Sequence, residues 1–153
     1  MSELTALQEH LSGLITCLSP AARRKMAADI AKKLRTSQQQ RIKRQQAPDG
    51  TPYAARKRQP VRGKKGRIKR EMFSKLRTNR FMKVTGNDSA AVVEFTGKVQ
   101  RIARVHQLGL KDRPTQRSAA VEYPQRQLLG FSSYDRISVE TAIFDEIVHH
   151  IKG

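Results

Sequence analysis

Tryptophan is absent from this sequence, cysteine occurs once, and 13 Asp and Glu stand against 31 Lys and Arg in 153 residues. Each shortage excludes something. Cys17 alone forms no internal disulfide and no thiolate zinc site, so a reducing compartment such as the cytoplasm is expected. It has no aligned histidine to serve as its base and reads as a small helix residue, not a nucleophile. No apolar run is long enough to span a bilayer, and Glu3 and Glu9 stand where a signal peptide needs basic and then apolar residues, so neither a membrane segment nor a leader is expected.

Groups for catalysis or metal binding are as scarce. His106 follows Ile102 by one helical turn, where a packed histidine is the ordinary outcome. His149 and His150 are adjacent, which points them about 100° apart on a helix and not along one face as a two-histidine metal site requires. Asp145 and Glu146 read as a solvated helix face. Arg62-Gly63-Lys64-Lys65-Gly66-Arg67 lacks the spacing of a phosphate-binding loop. The expectation is therefore no catalytic residue, no metal and no cofactor: not an enzyme.

What is abundant is positive charge, and it is concentrated. The formal net charge is +18; residues 1–20 contribute −2, residues 21–80 contribute +18 and residues 81–153 contribute +2. Nine of the cations, Arg56, Lys57, Arg58, Arg62, Lys64, Lys65, Arg67, Lys69 and Arg70, fall in one stretch without an acid. A solvated loop that aids solubility needs fewer, so this stretch reads as a contact for DNA or for an acidic protein surface. The motifs of sequence-specific nucleic-acid readers are missing, which limits any such contact to the non-specific kind.

At 17.4 kDa the chain fits one domain with a modest core. Leu4, Leu7, Leu11, Leu14 and Leu18 recur at spacings of three and four, which predicts an amphipathic helix over residues 3–18 whose leucine stripe seeks a partner helix. Ser19-Pro20 supplies an N-cap hydroxyl and a proline at the first helical position, so a second helix begins there. Its first half carries Met26, Ile30 and Leu34. Its second half, residues 37–46, has one apolar residue in ten and is expected to be solvated or partner-bound. Pro48 ends it, and Ala47-Pro48-Asp49-Gly50 is a strong turn signal.

Beyond the basic stretch, Ile68, Met72, Phe73 and Leu76 are spaced for a short helix. Residues 81–84 and 91–95 around Gly86-Asn87-Asp88 predict a β-hairpin. A helix with Val99, Ile102, Ala103 and His106 on one face ends at Gly109. Lys111–Ser118 is polar and irregular. Residues 119–123 predict a third strand and residues 128–131 a short fourth. A final helix capped by Ser132 or Ser133 buries Val139, Ile143, Phe144, Ile147, Val148 and Ile151. The expected class is α+β: an N-terminal helical hairpin arm (1–46), a turn and basic loop (47–67), and a compact domain (68–153) with a small antiparallel sheet packed by helices.

Several segments in this order carry a family resemblance. They are Leu18-Ser19-Pro20-Ala21, Ile30-Ala31-Lys32-Lys33-Leu34-Arg35, Gln39-Gln40-Arg41-Ile42, Pro48-Asp49-Gly50-Thr51-Pro52-Tyr53, Met72-Phe73-Ser74-Lys75-Leu76-Arg77, Ile102-Ala103-Arg104-Val105-His106-Gln107-Leu108-Gly109 and Pro124-Gln125-Arg126-Gln127-Leu128-Leu129-Gly130. Together they resemble the phage virion morphogenesis family over the whole chain. The Pro-Asp-Gly-Thr-Pro-aromatic turn and the His-Gln-x-Gly segment are the specific parts, with Tyr53 where Trp or Phe is more usual.

The resemblance implies a non-enzymatic virion component that completes the tail and joins it to the head at the neck. It also implies a fold like those of phage neck and tail-terminator proteins, in a homo-oligomeric ring, hexameric by the symmetry of such tails. The partners implied are tail tube, sheath and neck or head-completion proteins, in the virion and, during assembly, in the host cytoplasm, with no membrane. On that reading the basic run meets DNA or an acidic partner, and Leu4, Leu7, Leu11, Leu14 and Leu18 form an oligomer interface. The alternative is a non-specific nucleic-acid-binding accessory protein using the same loop.

Overall fold

The computed structural model describes residues 3–56 and 71–152. Among these the order is α1 (Glu3–Ile15), α2 (Pro20–Lys43), β1 (Met82–Gly86), β2 (Ala91–Phe95), α3 (Gln100–Leu108), β3 (Lys111–Asp112), β4 (Val121–Glu122) and α4 (Ser133–Lys152). The fold is α+β. Strands β1 and β2 pair as one two-stranded sheet and β3 and β4 as another. Contacts group the chain into two compact units, Met1–Arg35 with Val84–Val93 and Ser133–Gly153, and Thr36–Lys83 with Glu94–Ser132.

The first unit is built on the apolar half of α2. The Ser19 hydroxyl accepts a hydrogen bond from the Ala22 amide at 3.2 Å and Pro20 opens the helix, as the sequence predicts. Leu18, Ala22, Met26, Ile30 and Leu34 form a buried cluster with Ile147 of α4; Leu14, Ile15, Ala91, Val93, Val139, Ala142 and Ile143 pack against it. The close approach of the hairpin to α2 requires glycine at residue 86, since a Cβ there would lie 2.4 Å from the Ala28 amide nitrogen.

Helix α4 differs from expectation in what it buries. Val139, Ile143 and Ile147 face the cluster, but Phe144 and Ile151 are exposed and Val148 only half-buried. An apolar surface wider than one side of a helix exceeds what the cluster covers, and the surplus faces outward. Helix α3 shows the same error on a smaller scale: Ala103 and Val105 are buried while Ile102 is exposed.

The second unit departs further from the sequence reading. The polar end of α2 is solvated on one side only: Gln40, Lys43 and Arg44 are exposed, while Gln38, Arg41 and Ile42 are 5%, 3% and 0% exposed. Residues 72–77 form turns instead of the predicted helix, and Phe73 sits at φ 66°, a left-handed conformation that breaks helical hydrogen bonding; Ile68 lies outside the described residues. The third strand shrinks to Val121–Glu122 and pairs antiparallel with Lys111–Asp112, inside the stretch expected to be irregular. Residues 128–131 form no strand, because their backbone groups bond to side chains and not to another backbone.

Candidate functional site

The segments most specific to the resemblance converge in the second unit. The Pro48 turn closes a three-residue hairpin loop: the Gly50 amide donates to the Ala47 carbonyl at 2.9 Å, the Ala47 amide donates to the Thr51 carbonyl at 2.8 Å, and Gly50 takes φ 88°. That is a type I turn followed by a left-handed residue, for which proline second and glycine fourth are the suited types. Asp49 accepts the Thr51 amide at 2.9 Å, and those bonds from Thr51 hold its carboxyl below the ordinary range.

Glutamines do what a neighbouring strand would otherwise do. Helix α2 ends with Gln45 at φ 58°, and its termination repeats the pattern in which the amides of residues 45 and 46 return to the carbonyls of Ile42 and Arg41. Glycine is the usual residue at such a position, but the Gln45 side chain brackets Met72: its Nε2 donates to the Met72 carbonyl at 2.8 Å and its Oε1 accepts the Met72 amide at 3.1 Å. Gln107 of α3 accepts the Leu128 and Leu129 amides at 2.8 and 2.9 Å and donates to the Leu129 carbonyl at 2.8 Å. Gln38 accepts the Gly130 amide at 3.0 Å, and the Arg41 guanidinium donates to the carbonyls of Leu128 and Gly130. A side-chain amide carries one acceptor and two donors and so substitutes for a peptide group.

The same extended segment grips the Pro48 turn. The Tyr53 hydroxyl donates to the Gln127 carbonyl at 2.8 Å, while Arg126 donates from Nε to Ala54 at 2.8 Å and from its terminal nitrogen to Ala55 at 3.1 Å. Burial pushes the Tyr53 phenol up to about 12, against the opposing field of Arg41. Gly109, at φ 68°, lies so close to the segment that a Cβ would stand 2.9 Å from the Gln125 amide.

Beside this junction opens a cavity of about 620 Å³. Phe73, His106 and Tyr123 line one part of it, and Arg56, Lys75 and Arg126 bring cations to it. The rings of Tyr53, Phe73, His106 and Tyr123 follow one another edge to face, with centroids 5.6, 4.8 and 5.0 Å apart. His106 is held below its ordinary value by burial first, then by Arg126 and Arg56, with Asp112 opposing. Its buried Nδ1 has no hydrogen-bond partner among the described residues. Burial and the nearby Arg56 also lower the affinity of Arg126 for its proton.

Of the basic stretch, Arg56 is exposed at this cavity; Lys57, Arg58, Arg62, Lys64, Lys65, Arg67, Lys69 and Arg70 lie outside the described residues. Of the leucine stripe, Leu11 and Leu18 are buried, Leu14 is half-buried against the cluster of the first unit, and the Leu4 and Leu7 side chains lie outside what is described. Helix α1 packs on α4. No group of three or more His, Cys, Asp or Glu able to hold a metal is present among the described residues. Sequence reasoning missed Gln38, Arg41, Gln45 and Arg126 as individuals, although Arg41, Gln107 and Arg126 stand inside the motif segments.

Fold and site together define a small, strongly basic α+β protein whose motif residues hold distant backbone segments to one another. The chain belongs to the phage virion morphogenesis family, whose model matches residues 2–150. Over 144 residues it is 46% identical to tail completion protein S of Escherichia phage P2, a match that covers 94% of this chain and 96% of that protein. No solved structure matches it.

Proposed function

We propose that this chain is a structural, non-enzymatic virion protein that completes a contractile phage tail and joins it to the head at the neck as a hexameric ring. The observation that carries the reading is the 46% identity, over nearly the full length of both chains, with a protein named for tail completion. The bonds made by Gln107 and Arg126 support it, because motif positions engaged in backbone contacts are what a scaffold needs.

The fold is of the neck and tail-terminator kind, and the partners are tail tube, sheath and neck or head-completion proteins, met in the host cytoplasm during assembly. No helix of the described residues is long and apolar enough to cross a membrane. Helix α1 takes part in subunit contacts through the stripe that begins at Leu4, with Leu11 and Leu18 holding it to its own subunit. Arg56 and the cations up to Arg70 meet either DNA in the lumen or an acidic surface of a neighbouring protein.

The test is complementation. Supplied in trans to phage P2 defective in its tail completion protein S, this chain restores infectious particles and is found at the head-proximal end of the tail by immunogold microscopy; no restoration together with label elsewhere overturns the reading. A second reading, a nucleic-acid-binding accessory protein, draws on the nine cations of residues 56–70. Tight binding to bare DNA in the absence of any tail protein, with log affinity falling steeply against log salt, favours that reading.

A further inference from the structure

Helix α4 carries a second apolar face that the described residues leave uncovered. Tyr134, Ile137, Phe144 and Ile151 are 72%, 63%, 58% and 77% exposed. With Thr141 and the half-buried Val148 they follow spacings of three, four, three, four and three. That is the period of the seam by which one helix seats on another surface, and it is separate from the Val139, Ile143 and Ile147 face that packs inward. Exposed apolar stripes of this length mark contact surfaces.

Charge narrows the occupant. In a chain of net charge +18, α4 holds four acids against Arg136 and Lys152 and is net negative. Its stripe is flanked midway by Glu140 and Asp145, so two α4 stripes aligned over their middles oppose acid with acid. A pairing of α4 with its own copy is disfavoured. The complementary surface is on α3. Arg101 and Arg104 lie on it, with Lys98 just before and Lys111 just after and no acid among them in sequence, although Arg101 pairs with Asp112. The half-exposed Leu108 lines, with Phe95, Ala103 and Leu129, an apolar groove of about 360 Å³ whose charged members are Arg104 and Glu94.

We infer that the α4 stripe of one copy docks on the basic α3 groove of a second copy, with Phe144 entering the groove and Glu140 and Asp145 facing Arg104 and Lys98. The two surfaces differ, so the contact is head-to-tail, the kind of contact that repeats from copy to copy and forms a ring when its rotation closes. Charged flanks of opposite sign fix register and direction while the apolar centre supplies affinity. This inference rests on the ring proposed above and supplies the interface that would close it.

The test uses two full-length variants, each checked for an unchanged circular dichroism spectrum and melting curve. One damages the stripe (Ile137→Glu with Phe144→Glu) and the other the groove (Arg104→Glu with Leu108→Glu). Light scattering is expected to give an oligomer for the wild type and a monomer for each variant. An equimolar mixture of the two is expected to give dimers and nothing larger, because one intact stripe meets one intact groove and only damaged surfaces remain outside. Variants that assemble like the wild type overturn this interface and leave the ring reading standing, as does a mixture that stays monomeric. A monomeric wild type at high concentration overturns both.

Discussion

Gln45 occupies a backbone position that favours glycine, and its retention of a side chain has a visible reason: that side chain brackets both polar groups of Met72. The strain of a left-handed residue, about 1 kcal/mol, is offset by two hydrogen bonds to otherwise unpartnered backbone. Tyr53 and His106 show the same local logic with titratable groups. Because the Tyr53 phenol is raised to about 12, folding stability that is whole below pH 10 declines between pH 10 and 12. Absorbance titration at 295 nm should show one phenol of the three with a midpoint near 12, absent in Tyr53→Phe. His106 is displaced the other way, below 6.5, so the native state binds fewer protons than the unfolded chain just below neutrality. Stability is whole above pH 6.5 and falls as the pH drops toward the lowered native value; His106→Phe, which keeps the ring contacts, should flatten that part of the profile in urea titrations.

At the scale of elements, the extended segment at residues 124–130 is held by side chains from α2 and α3 and the Pro48 turn where a sheet protein would use a strand. Its security therefore depends on single residues. Gln107→Leu keeps the volume and removes the acceptor for two amides, leaving Leu128 and Leu129 short of partners; a loss of about 2–6 kcal/mol in chemical unfolding is expected, at about 1–3 kcal/mol per unpartnered group. Gln100→Leu is the control on the same helix, since its side chain bonds only one carbonyl. A loss no larger for Gln107→Leu than for this control would show that the amide pairing is dispensable. The second uncovered face of α4 belongs to the same scale, because a helix that buries one stripe and exposes another is built to meet two surfaces.

Across the whole molecule, charge is concentrated along the sequence: nine cations lie between Arg56 and Arg70, whereas the buried cluster of the first unit draws on α2, the hairpin and α4. Replacing Lys57, Arg58, Lys64, Lys65 and Arg67 with glutamine should leave the melting temperature within a few degrees of the wild type. It should also lower the yield of tails able to join heads. Normal particle yield would remove any role for the basic stretch, and a large drop in melting temperature would make it structural.

Reading the sequence alone worked where structure is written in near neighbours. Ser19-Pro20 starts a helix, Pro48 to Gly50 turns the chain, residues 81–95 form a hairpin, Gly109 ends a helix, and the class is α+β, because caps, turns and short periods depend on residues a few positions apart. It failed where a group's partner lies far along the chain. Nothing in the polar run from Ser37 to Gln46 announces that Gln38 and Arg41 will be buried against residue 130, and no periodicity reveals that Phe144 lies on the outer of two apolar faces. The sequence by itself determined helices α1 to α4, the Pro48 turn, the location of the charge and the family. Only the tertiary structure decided which polar side chains replace a strand and which apolar ones stay exposed, because hydrogen bonding and burial are settled by neighbours in space.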